Sequence, residues 1–282
     1  MTFENSVYFK NATSMSEVPD ESVQLIVTSP PYFNIKDYSL DGRQEKAIHK
    51  KKRGQIGDIK GYAQYLEAMV PVWQECYRVL APNGKLVINT PLMPMLKKDM
   101  ATHYNRDILD LDGDIRQTIK SQTDFHLLDV YIWNRTNPSK KLMFGSYPHP
   151  RNFYAQNTIE FLPVYVKDGK PNASPSARKK NASKLTQTEW VEYTKQVWDI
   201  PVPNKGDLAF GIHSAIMPEE IIRRFVKLYT FVDEVVLDPF TGSGTTLKVA
   251  KELHRKFVGY EINESYKEII NRKLNSVDTK NK

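Results

Sequence analysis

Cysteine is almost absent from this sequence, which has one, Cys76, among 282 residues. A single thiol excludes an internal disulfide framework and a cysteine-rich zinc site, and it favours a reducing compartment. Long hydrophobic runs are also missing, because apolar stretches such as residues 23–27 fall far short of the roughly 18 residues that a membrane span requires. The amino terminus lacks the basic and then apolar pattern of a signal peptide. These absences predict a cytoplasmic protein with no membrane partner.

Metal-ligand patterns are missing as well. The six histidines are scattered without the spacing typical of metal ligands, so no metal site is predicted.

Positive charge is in excess, since 40 lysines and arginines against 33 aspartates and glutamates give a net charge of +7. This balance favours a polyanionic partner, although many soluble proteins are mildly basic. Two basic runs, residues 49–53 and 178–180, are each as typical of a solvated loop as of phosphate contacts.

Short apolar runs alternate with amphipathic stretches, which is the pattern of an α/β sheet. The first unit is predicted as a strand at 23–27, a helix at 62–80 and a strand at 85–90, with Pro82-Asn83-Gly84 as the turn. Residues 134–210 are rich in proline and polar side chains and predict an irregular insertion on a sheet scaffold. The last unit is predicted as a helix from Pro218, a strand at 234–238, a helix at 245–253, a strand at 256–260 and a closing helix at 264–274.

The stretch DPFTGSGTT, residues 238–246, leaves one predicted strand and opens a predicted helix. Gly242 and Gly244 allow a sharp bend and close approach of a ligand, and the helix amino terminus offers free N–H donors. A Walker loop would need a lysine after Gly244, and a dinucleotide fingerprint would need a glycine at position 247; neither is present. Glu261 ends the next strand, seventeen residues beyond Gly244, where an acid can accept hydrogen bonds from ribose hydroxyls. Each feature alone could be a plain connection or a solvated strand end, but together they predict a nucleoside site.

Several stretches resemble the amino-group DNA methyltransferases. VLDPFTGSGTT at 236–246 with GYEIN at 259–263 is similar to the S-adenosylmethionine site of that family, and TSPPY at 28–32 resembles its catalytic motif. The order, with the catalytic motif first, resembles the circularly permuted β-group. VWDIP at 197–201 and HSAIMPEEIIRRF at 213–225 resemble the segment that precedes the cofactor turn and closes over the methionine end of the cofactor.

The resemblance implies an α/β fold with a Rossmann-like, mostly parallel sheet, which is the class I methyltransferase fold in circularly permuted form, carrying an irregular target-recognition insertion. Residues 1–133 would form the catalytic part of the methyltransferase domain, with a mobile loop at 33–61. Residues 134–196 would be the target-recognition region, and residues 197–282 the cofactor-binding part of the same domain.

The resemblance also implies that S-adenosylmethionine is the cofactor. In relatives the loop after the first short strand usually carries Gly-Asp, where this chain has Lys10-Asn11, but an asparagine can still hydrogen-bond an adenine edge. The residues implied in cofactor binding are Asn11, Thr28, His213, Ser214, Asp238, Pro239, Phe240, Gly242, Ser243, Gly244, Thr245, Glu261 and Ile262.

The catalytic motif consists of Ser29, Pro30, Pro31 and Tyr32. The lone pair of an exocyclic amine is delocalised into the base, so a site that accepts both amine hydrogens favours a pyramidal, nucleophilic nitrogen. The resemblance assigns these acceptors to the Ser29 side chain and the Pro30 carbonyl, which the rigid prolines fix in place. Tyr32 would stack on a base flipped out of the duplex. Methylation at cytosine C5 would need a cysteine nucleophile, and Cys76 falls inside a predicted helix as a small buried residue.

The identity of the base depends on Ser29. Serine at this position resembles the cytosine-N4 enzymes, whereas adenine-N6 enzymes mostly carry aspartate or asparagine. A hydroxyl can accept one hydrogen bond and donate another toward cytosine N3. The sequence therefore predicts cytosine-N4 methylation of double-stranded DNA, and adenine-N6 methylation is the alternative. The resemblance implies a restriction-modification system, in which a cognate restriction endonuclease would be the partner enzyme.

Functions of other classes fit the sequence less well. A non-catalytic DNA-binding protein on the same scaffold is disfavoured by the intact motifs. A methyltransferase for a protein glutamine is disfavoured because those enzymes usually show Asn-Pro-Pro-Tyr and the unpermuted order, whereas an RNA base stays an alternative planar amine. Monomer and dimer both stay open. Basic residues predicted to contact DNA lie in the loop after the catalytic motif and in the target-recognition region: Lys50, Lys51, Lys52, Arg53, Arg135, Arg151, Arg178, Lys179 and Lys180.

Overall fold

The computed structural model describes residues 2–33, 55–94, 107–137, 148–151, 155, 157–171, 173–213 and 215–280. These residues form a main sheet with helices on both faces. The strands are β1 (Ser6–Tyr8), β2 (Val23–Thr28), β3 (Leu80–Ile88), β4 (Thr90–Pro91), β5 (Met93–Pro94), β6 (Ile108–Leu109), β7 (Phe125–Arg135), β8 (Ile159–Lys167), β9 (Val197–Ile200), β10 (Val235–Asp238) and β11 (Lys256–Tyr260). The helices are α1 (Tyr62–Val79), α2 (Leu111–Gln122), α3 (Ala177–Ala182), α4 (Gln187–Tyr193), α5 (Glu219–Tyr229), α6 (Thr245–Glu252) and α7 (Lys267–Lys280).

The main sheet has the strand order β1-β11-β10-β2-β3-β8-β7-β9, with β4 also paired to β8, and β5 and β6 form a separate pair. Neighbouring strands are parallel, except that β8 runs antiparallel to β3, β4 and β7. The mostly parallel α/β sheet that the sequence predicts is therefore confirmed.

The strands supply side chains to two cores, because successive residues of a strand point to opposite faces. In β10, Val235 and Leu237 lie in the core that contains the apolar side of α1, whereas Val236 lies in the core under α5 and α6. Trp73 of α1 and Phe225 of α5 are fully buried in these two cores. Burying an aromatic side chain such as Phe225 contributes about 1.5–3 kcal/mol, so both helical layers hold the sheet firmly.

The sheet reverses its winding between β2 and β10. From β2 the chain passes through α1 to β3 on one side, and from β10 it passes through α6 to β11 on the other. Open α/β sheets bind ligands at the carboxyl ends of the strands at such a point. Thr28 and Asp238 end these two strands, and Thr28 Oγ1 donates a hydrogen bond of 2.7 Å to Asp238 Oδ1. One hydrogen bond thus joins the two strand ends.

Two predicted boundaries differ from the structure. The strand predicted at 85–90 begins at Leu80, because Pro82-Asn83-Gly84 is an irregularity within β3 and not a turn that precedes it. Asn83 has a φ of 63°, and the pairing register between β3 and β2 shifts at this point. The closing helix continues to Lys280, six residues beyond the predicted end, since Val277 is buried and Asp278 pairs with Lys251.

The region predicted as an irregular insertion contributes strands to the main sheet. Within residues 134–196, β8 lies between β3 and β7 and buries Leu162 and Val164, so the prediction of irregular structure is wrong for this segment. Pro163 hid the strand pattern, because proline is rare in central strands. VWDIP forms the edge strand β9, where Trp198 packs against the Tyr131 ring at 4.8 Å between centroids. A role in target recognition for the rest of the region stays a prediction.

The structure can be compared with what the sequence predicts about the cysteine, metal sites and membrane spans. Cys76 is buried in α1, where burial raises the pKa of its thiol, so it has the environment of a small apolar residue. The described ranges contain no group of three or more His, Cys, Asp or Glu side chains arranged for a metal ion. Across the same part of the chain, no helix combines the length and hydropathy that crossing a membrane requires.

Candidate active site

An open cavity lies at the carboxyl ends of β1, β2, β10 and β11, where open α/β sheets bind ligands. Ser29 and Pro31 of the catalytic motif line it. Ten of the residues predicted to bind the cofactor also line it, namely Asn11, His213, Asp238, Pro239, Phe240, Gly242, Ser243, Thr245, Glu261 and Ile262. Thr28 and Gly244 lie behind the wall, and Ser214 lies outside the described residues. The two distant motifs therefore share one cavity.

The turn from β10 into α6 places glycine at two left-handed positions. Gly242 and Gly244 have φ values of 51° and 84°, in the left-handed region that favours glycine. A Cβ atom added at Gly242 would lie 2.8 Å from Nε2 of His213, so the two residues pack closely. Helix α6 begins directly after Gly244, and its free N–H groups face the turn.

Glu261 holds the loop after β11 against this turn. Its Oε2 accepts a hydrogen bond of 2.8 Å from Gly242 N, and its Oε1 accepts one of 2.7 Å from Asn263 N. Carboxylate oxygens are hydrogen-bond acceptors, and the residue lines the cavity. Glu261 can therefore both shape the turn and accept hydrogen bonds from a ligand.

Asp238 is a buried carboxyl group at the centre of the site. Besides Thr28 Oγ1, its Oδ1 accepts a hydrogen bond of 3.0 Å from Phe240 N. Burial raises the pKa of Asp238 to about 6, although these hydrogen bonds act in the opposite direction. The carboxylate is thus held by donors from both strand ends at a cost in desolvation.

This pKa predicts a specific pH dependence of stability. Asp238 binds its proton more tightly in the folded protein than in the unfolded chain, where its pKa is about 3.9, so its contribution to stability falls as the pH rises from about 4 to about 6. Between pH 4.5 and 7.5 this loss amounts to about 2 kcal/mol in the free energy of unfolding. In Asp238→Asn the loss is expected to disappear, so denaturant unfolding at both pH values should show wild type losing stability relative to the variant. An equal difference between the two proteins at both pH values would contradict the assignment.

The catalytic motif is anchored from beneath by Tyr32. Ser29 Oγ lies 2.7 Å from the Tyr32 hydroxyl, which also accepts a hydrogen bond of 3.0 Å from Asn89 Nδ2 and lies 3.3 Å from the Asn89 carbonyl oxygen. Tyr32 is 8% exposed and does not line the cavity. In this structure the Tyr32 side chain is buried beside Ser29. Stacking of Tyr32 on a base stays a prediction.

The hydrogen bonds continue behind Tyr32 into the sheet. Asn89 Nδ2 donates to Glu160 Oε2 at 2.7 Å, and Glu160 Oε1 lies 3.4 Å from Nη1 of Arg135. Asn89 and Glu160 are both buried. Neither was predicted from the sequence, and the available signal was a polar residue, Asn89, directly after an apolar strand. We refer to Ser29, Tyr32, Asn89, Glu160 and Arg135 as the Ser29 network.

The residues predicted to contact DNA are dispersed. Arg135 belongs to the Ser29 network, and its Nε donates to the Thr158 carbonyl at 3.2 Å; its contact with DNA stays a prediction. Arg178 and Lys179 pair with Asp233 in the turn before β10, at the end of the sheet opposite to the cavity, and Lys180 belongs to the same helix α3.

The other predicted DNA contacts include one exposed residue. Arg151 is exposed within the short described stretch 148–151, and its contact with DNA stays a prediction. Lys50, Lys51, Lys52, Arg53 and most of the predicted mobile loop lie outside the described residues.

Further cavity residues were not predicted. Ala215, Ile216 and Met217 fall within a stretch that resembles the methyltransferases, so a signal for them existed. The segment before α1 was predicted only as part of the mobile loop at 33–61. The cavity residues that were not predicted to bind the cofactor or to act in catalysis are Lys10, Ala12, Gln55, Ile56, Asp58, Ala215, Ile216, Met217, Thr241, Thr246, Tyr260, Asn263 and Tyr266.

Comparison with known proteins gives a consistent result. The N6/N4 methylase family model, described as DNA methylase, matches residues 23–272. The type II methyltransferase M.MjaI of Methanocaldococcus jannaschii is 31% identical, over 97% of this chain and 92% of the relative. The type II methyltransferase M.Cfr9I of Citrobacter freundii is 28% identical, over 94% of this chain and 85% of the relative.

Two solved structures share the fold along nearly the whole chain. TTHA0409 of Thermus thermophilus, complexed with S-adenosyl-L-methionine, superposes with a TM-score of 0.73 and 25% identity, covering 97% of this chain and 94% of its own. The PvuII DNA methyltransferase, which is cytosine-N4-specific, superposes with a TM-score of 0.64, covering 96% and 93%. At 18% identity, this second likeness concerns the fold alone.

Proposed function

The chain belongs to the N6/N4 DNA methylase family, and from that premise we propose that it transfers a methyl group from S-adenosylmethionine to the N4 amine of a cytosine in double-stranded DNA. The main support is the shared cavity, where the Thr28–Asp238 hydrogen bond joins the catalytic motif to the glycine turn. The order of the two motifs supports assignment to the circularly permuted β-group. A role in restriction-modification accords with the relatives, which are named type II methyltransferases.

The cavity suits S-adenosylmethionine, which supplies an electrophilic methyl group when bound. Glu261 provides acceptors for ribose hydroxyls, and Phe240 and Ile262 provide apolar surface for the adenine ring. Asn11 Oδ1 accepts a hydrogen bond of 3.0 Å from Thr13 N, which leaves its NH₂ group to donate to an adenine edge. Asparagine in place of the aspartate of relatives therefore offers adenine a donor instead of an acceptor, and the residue can still hydrogen-bond the base.

Ser29 and Pro30 would act on the target amine. The Ser29 hydroxyl and the Pro30 carbonyl accept its two hydrogens, which holds the nitrogen in place and favours the pyramidal form whose lone pair is nucleophilic. Pro30 is buried, and the fixed φ of proline keeps this short segment rigid. The chain's contribution is to position and polarise the amine before transfer.

The Ser29 network supports a defined orientation of the serine hydroxyl. The Glu160 carboxylate only accepts, so the Asn89 amide donates one hydrogen to it and the other to the Tyr32 oxygen. Tyr32 then donates to Ser29 at 2.7 Å, the shorter of its two described contacts with acceptors. Ser29 thus keeps its own hydrogen and a lone pair for the cavity. In cytosine, ring atom N3 can accept the Ser29 hydrogen and the N4 amine can donate to the Ser29 lone pair. N1 and N6 of adenine present the same pattern.

Transfer of tritium from labelled S-adenosylmethionine tests the substrate class. Wild-type protein is expected to label unmethylated genomic duplex DNA, and to leave RNA of equal length and a glutamine-rich protein unlabelled. Reactions without protein, and with heat-denatured protein, serve as controls. Label in RNA or protein but not in DNA would contradict the proposal, and so would the absence of label in every substrate.

Glu160→Gln tests the orientation of the network. A glutamine amide can donate toward Asn89, which allows the Asn89 amide to turn and stop donating to Tyr32. We expect kcat for methyl transfer to fall about tenfold, equivalent to about 1.4 kcal/mol, with cofactor affinity unchanged. Glu234→Gln is the matched control, because Glu234 accepts from Phe231 N at the opposite end of β10. Unchanged kcat in Glu160→Gln, or an equal loss in Glu234→Gln, would contradict this role.

A further inference from the structure

A buried lysine lies behind the turn between β10 and α6. Lys273 of α7 is 1% exposed, and its Nζ donates to Thr245 Oγ1 at 2.8 Å and to Ser243 Oγ at 3.2 Å. Asp207 Oδ1 lies 3.2 Å from the same nitrogen. An ammonium group has three donors, and these three acceptors satisfy all of them. Burial lowers the pKa of Lys273, and Asp207 acts against that shift.

Asp207 connects this lysine to the segment that carries His213. Its Oδ1 accepts a hydrogen bond of 2.7 Å from Ala209 N, and the Ala209 carbonyl accepts one of 3.0 Å from His213 N. The imidazole of His213 in turn packs against Gly242. Lys273 therefore joins two segments from behind: the glycine turn, and residues 207–213, which bring His213 into the cavity lining. We refer to these two segments as the two walls.

Helix α7 also fixes the position of Lys273. Ile270, one helical turn earlier, packs so closely on the glycine turn that a Cβ atom at Gly244 would lie 3.3 Å from its side chain. The lysine itself does not line the cavity. Any effect of Lys273 on a ligand is therefore transmitted through the residues it holds.

We propose that Lys273 is a positioning residue that sets the affinity for the cofactor by holding the glycine turn and residues 207–213 together. This inference rests on the proposed use of the cavity for S-adenosylmethionine. Without the ammonium group, Ser243, Thr245 and Asp207 lose their common partner, so the two walls separate. Cofactor affinity falls, whereas the chemistry at Ser29 is unaffected once the cofactor is bound.

A double variant tests this role. Lys273→Met alone leaves the Asp207 carboxylate buried without a cation, so Lys273→Met is combined with Asp207→Asn, which removes both charges and keeps both side-chain volumes. We expect Kd and KM for S-adenosylmethionine to rise at least tenfold, with kcat at saturating cofactor within twofold of wild type. Asp207→Asn alone keeps an acceptor for the lysine and is expected to raise Kd about threefold, which provides a milder variant should the double variant fail to fold.

An ion pair between α6 and α7 provides the control. Lys251 of α6 lies 2.8 Å from Asp278 of α7, away from the turn, so Lys251→Met with Asp278→Asn is expected to leave Kd within twofold of wild type. Wild-type Kd in the folded double variant, or in Asp207→Asn if only that variant folds, would overturn the inference, as would a fall in kcat equal to the rise in KM.

Hydrogen exchange of the ligand-free proteins separates this inference from the proposed function. The amides of residues 209–213 and 242–245 are expected to exchange at least tenfold faster in the double variant, or in Asp207→Asn to a smaller extent, and unchanged exchange would overturn the coupling. A wild type that binds no S-adenosylmethionine would contradict the proposed function, while the exchange rates would still decide whether Lys273 joins the two walls.

Discussion

Replacing Ser29 by alanine is expected to lower methyl transfer to DNA at least a hundredfold while leaving the Kd for S-adenosylmethionine within twofold. Ser29 lines the cavity, and its hydroxyl is hydrogen-bonded to Tyr32. Removing one hydrogen-bonding group that acts directly on the reacting atoms typically costs a factor of about 10²–10³, or about 2.7–4 kcal/mol of transition-state stabilisation. The variant keeps Cβ and both prolines, so the backbone after β2 should stay in place.

Tritium transfer to duplex DNA and calorimetric titration with the cofactor measure the two expected results. Ser22→Ala is a suitable control, because Ser22 precedes β2 at the end of the strand away from the cavity and its Oγ donates to the Pro19 carbonyl. It is expected to transfer methyl groups at the wild-type rate. Equal rates of methyl transfer by Ser29→Ala and wild type would show that Ser29 does not act in catalysis.

Replacing Gly242 by alanine is expected to weaken cofactor binding at least thirtyfold. A φ of 51° costs an L-residue about 1–2 kcal/mol, and the added Cβ atom would lie 2.8 Å from His213 Nε2, which forces the turn or the imidazole to move. The hydrogen bond from Gly242 N to Glu261 would be displaced at the same time. Turn, imidazole and carboxylate all line the cavity, so one methyl group disturbs three of its walls.

Gly206→Ala is the matched control for this variant. Gly206 lies in the segment that leads to His213, and a Cβ atom added there would meet only Asn204 Oδ1, at 3.3 Å. Calorimetric titration with S-adenosylmethionine is expected to give a Kd within twofold of wild type for Gly206→Ala. Wild-type affinity in Gly242→Ala would show that the turn does not approach the cofactor.

The strands and turn that build the cavity could be predicted because their signals are local. β2, β10 and β11 are short apolar runs, and Gly242 and Gly244 stand in the left-handed conformations that a tight turn demands. β8 could not be predicted in the same way, because Pro163 interrupts its pattern and its place in the sheet depends on pairing with β3 and β7.

The contacts that support the site were unpredictable for a different reason. Asn89 and Glu160 are 71 residues apart in the chain and meet only because β8 runs antiparallel, which brings its first residues to the carboxyl end of β3. Lys273 lies within an amphipathic helix pattern, where a lysine normally indicates the solvent side. Its burial follows from the packing of α7 on the glycine turn, which no local pattern encodes.

The predicted DNA contacts of the basic residues stay predictions. In the structure Arg135 is bound to Glu160, and Arg178 and Lys179 are paired with Asp233. Electrostatic composition indicates a class of partner, whereas the position of each charge depends on the fold. Contact of the two basic runs with DNA stays a prediction.

Mass spectrometry of the nucleosides from DNA methylated by the pure wild-type protein tests the cytosine-N4 assignment most directly. Genomic DNA free of N4-methylcytosine and N6-methyladenine would be incubated with the protein and S-adenosylmethionine, digested to nucleosides and compared with standards, with Ser29→Ala as the matched blank. We predict N4-methylcytosine in the wild-type reaction and only background in the blank. N6-methyladenine as the product would contradict the assignment of the base to cytosine.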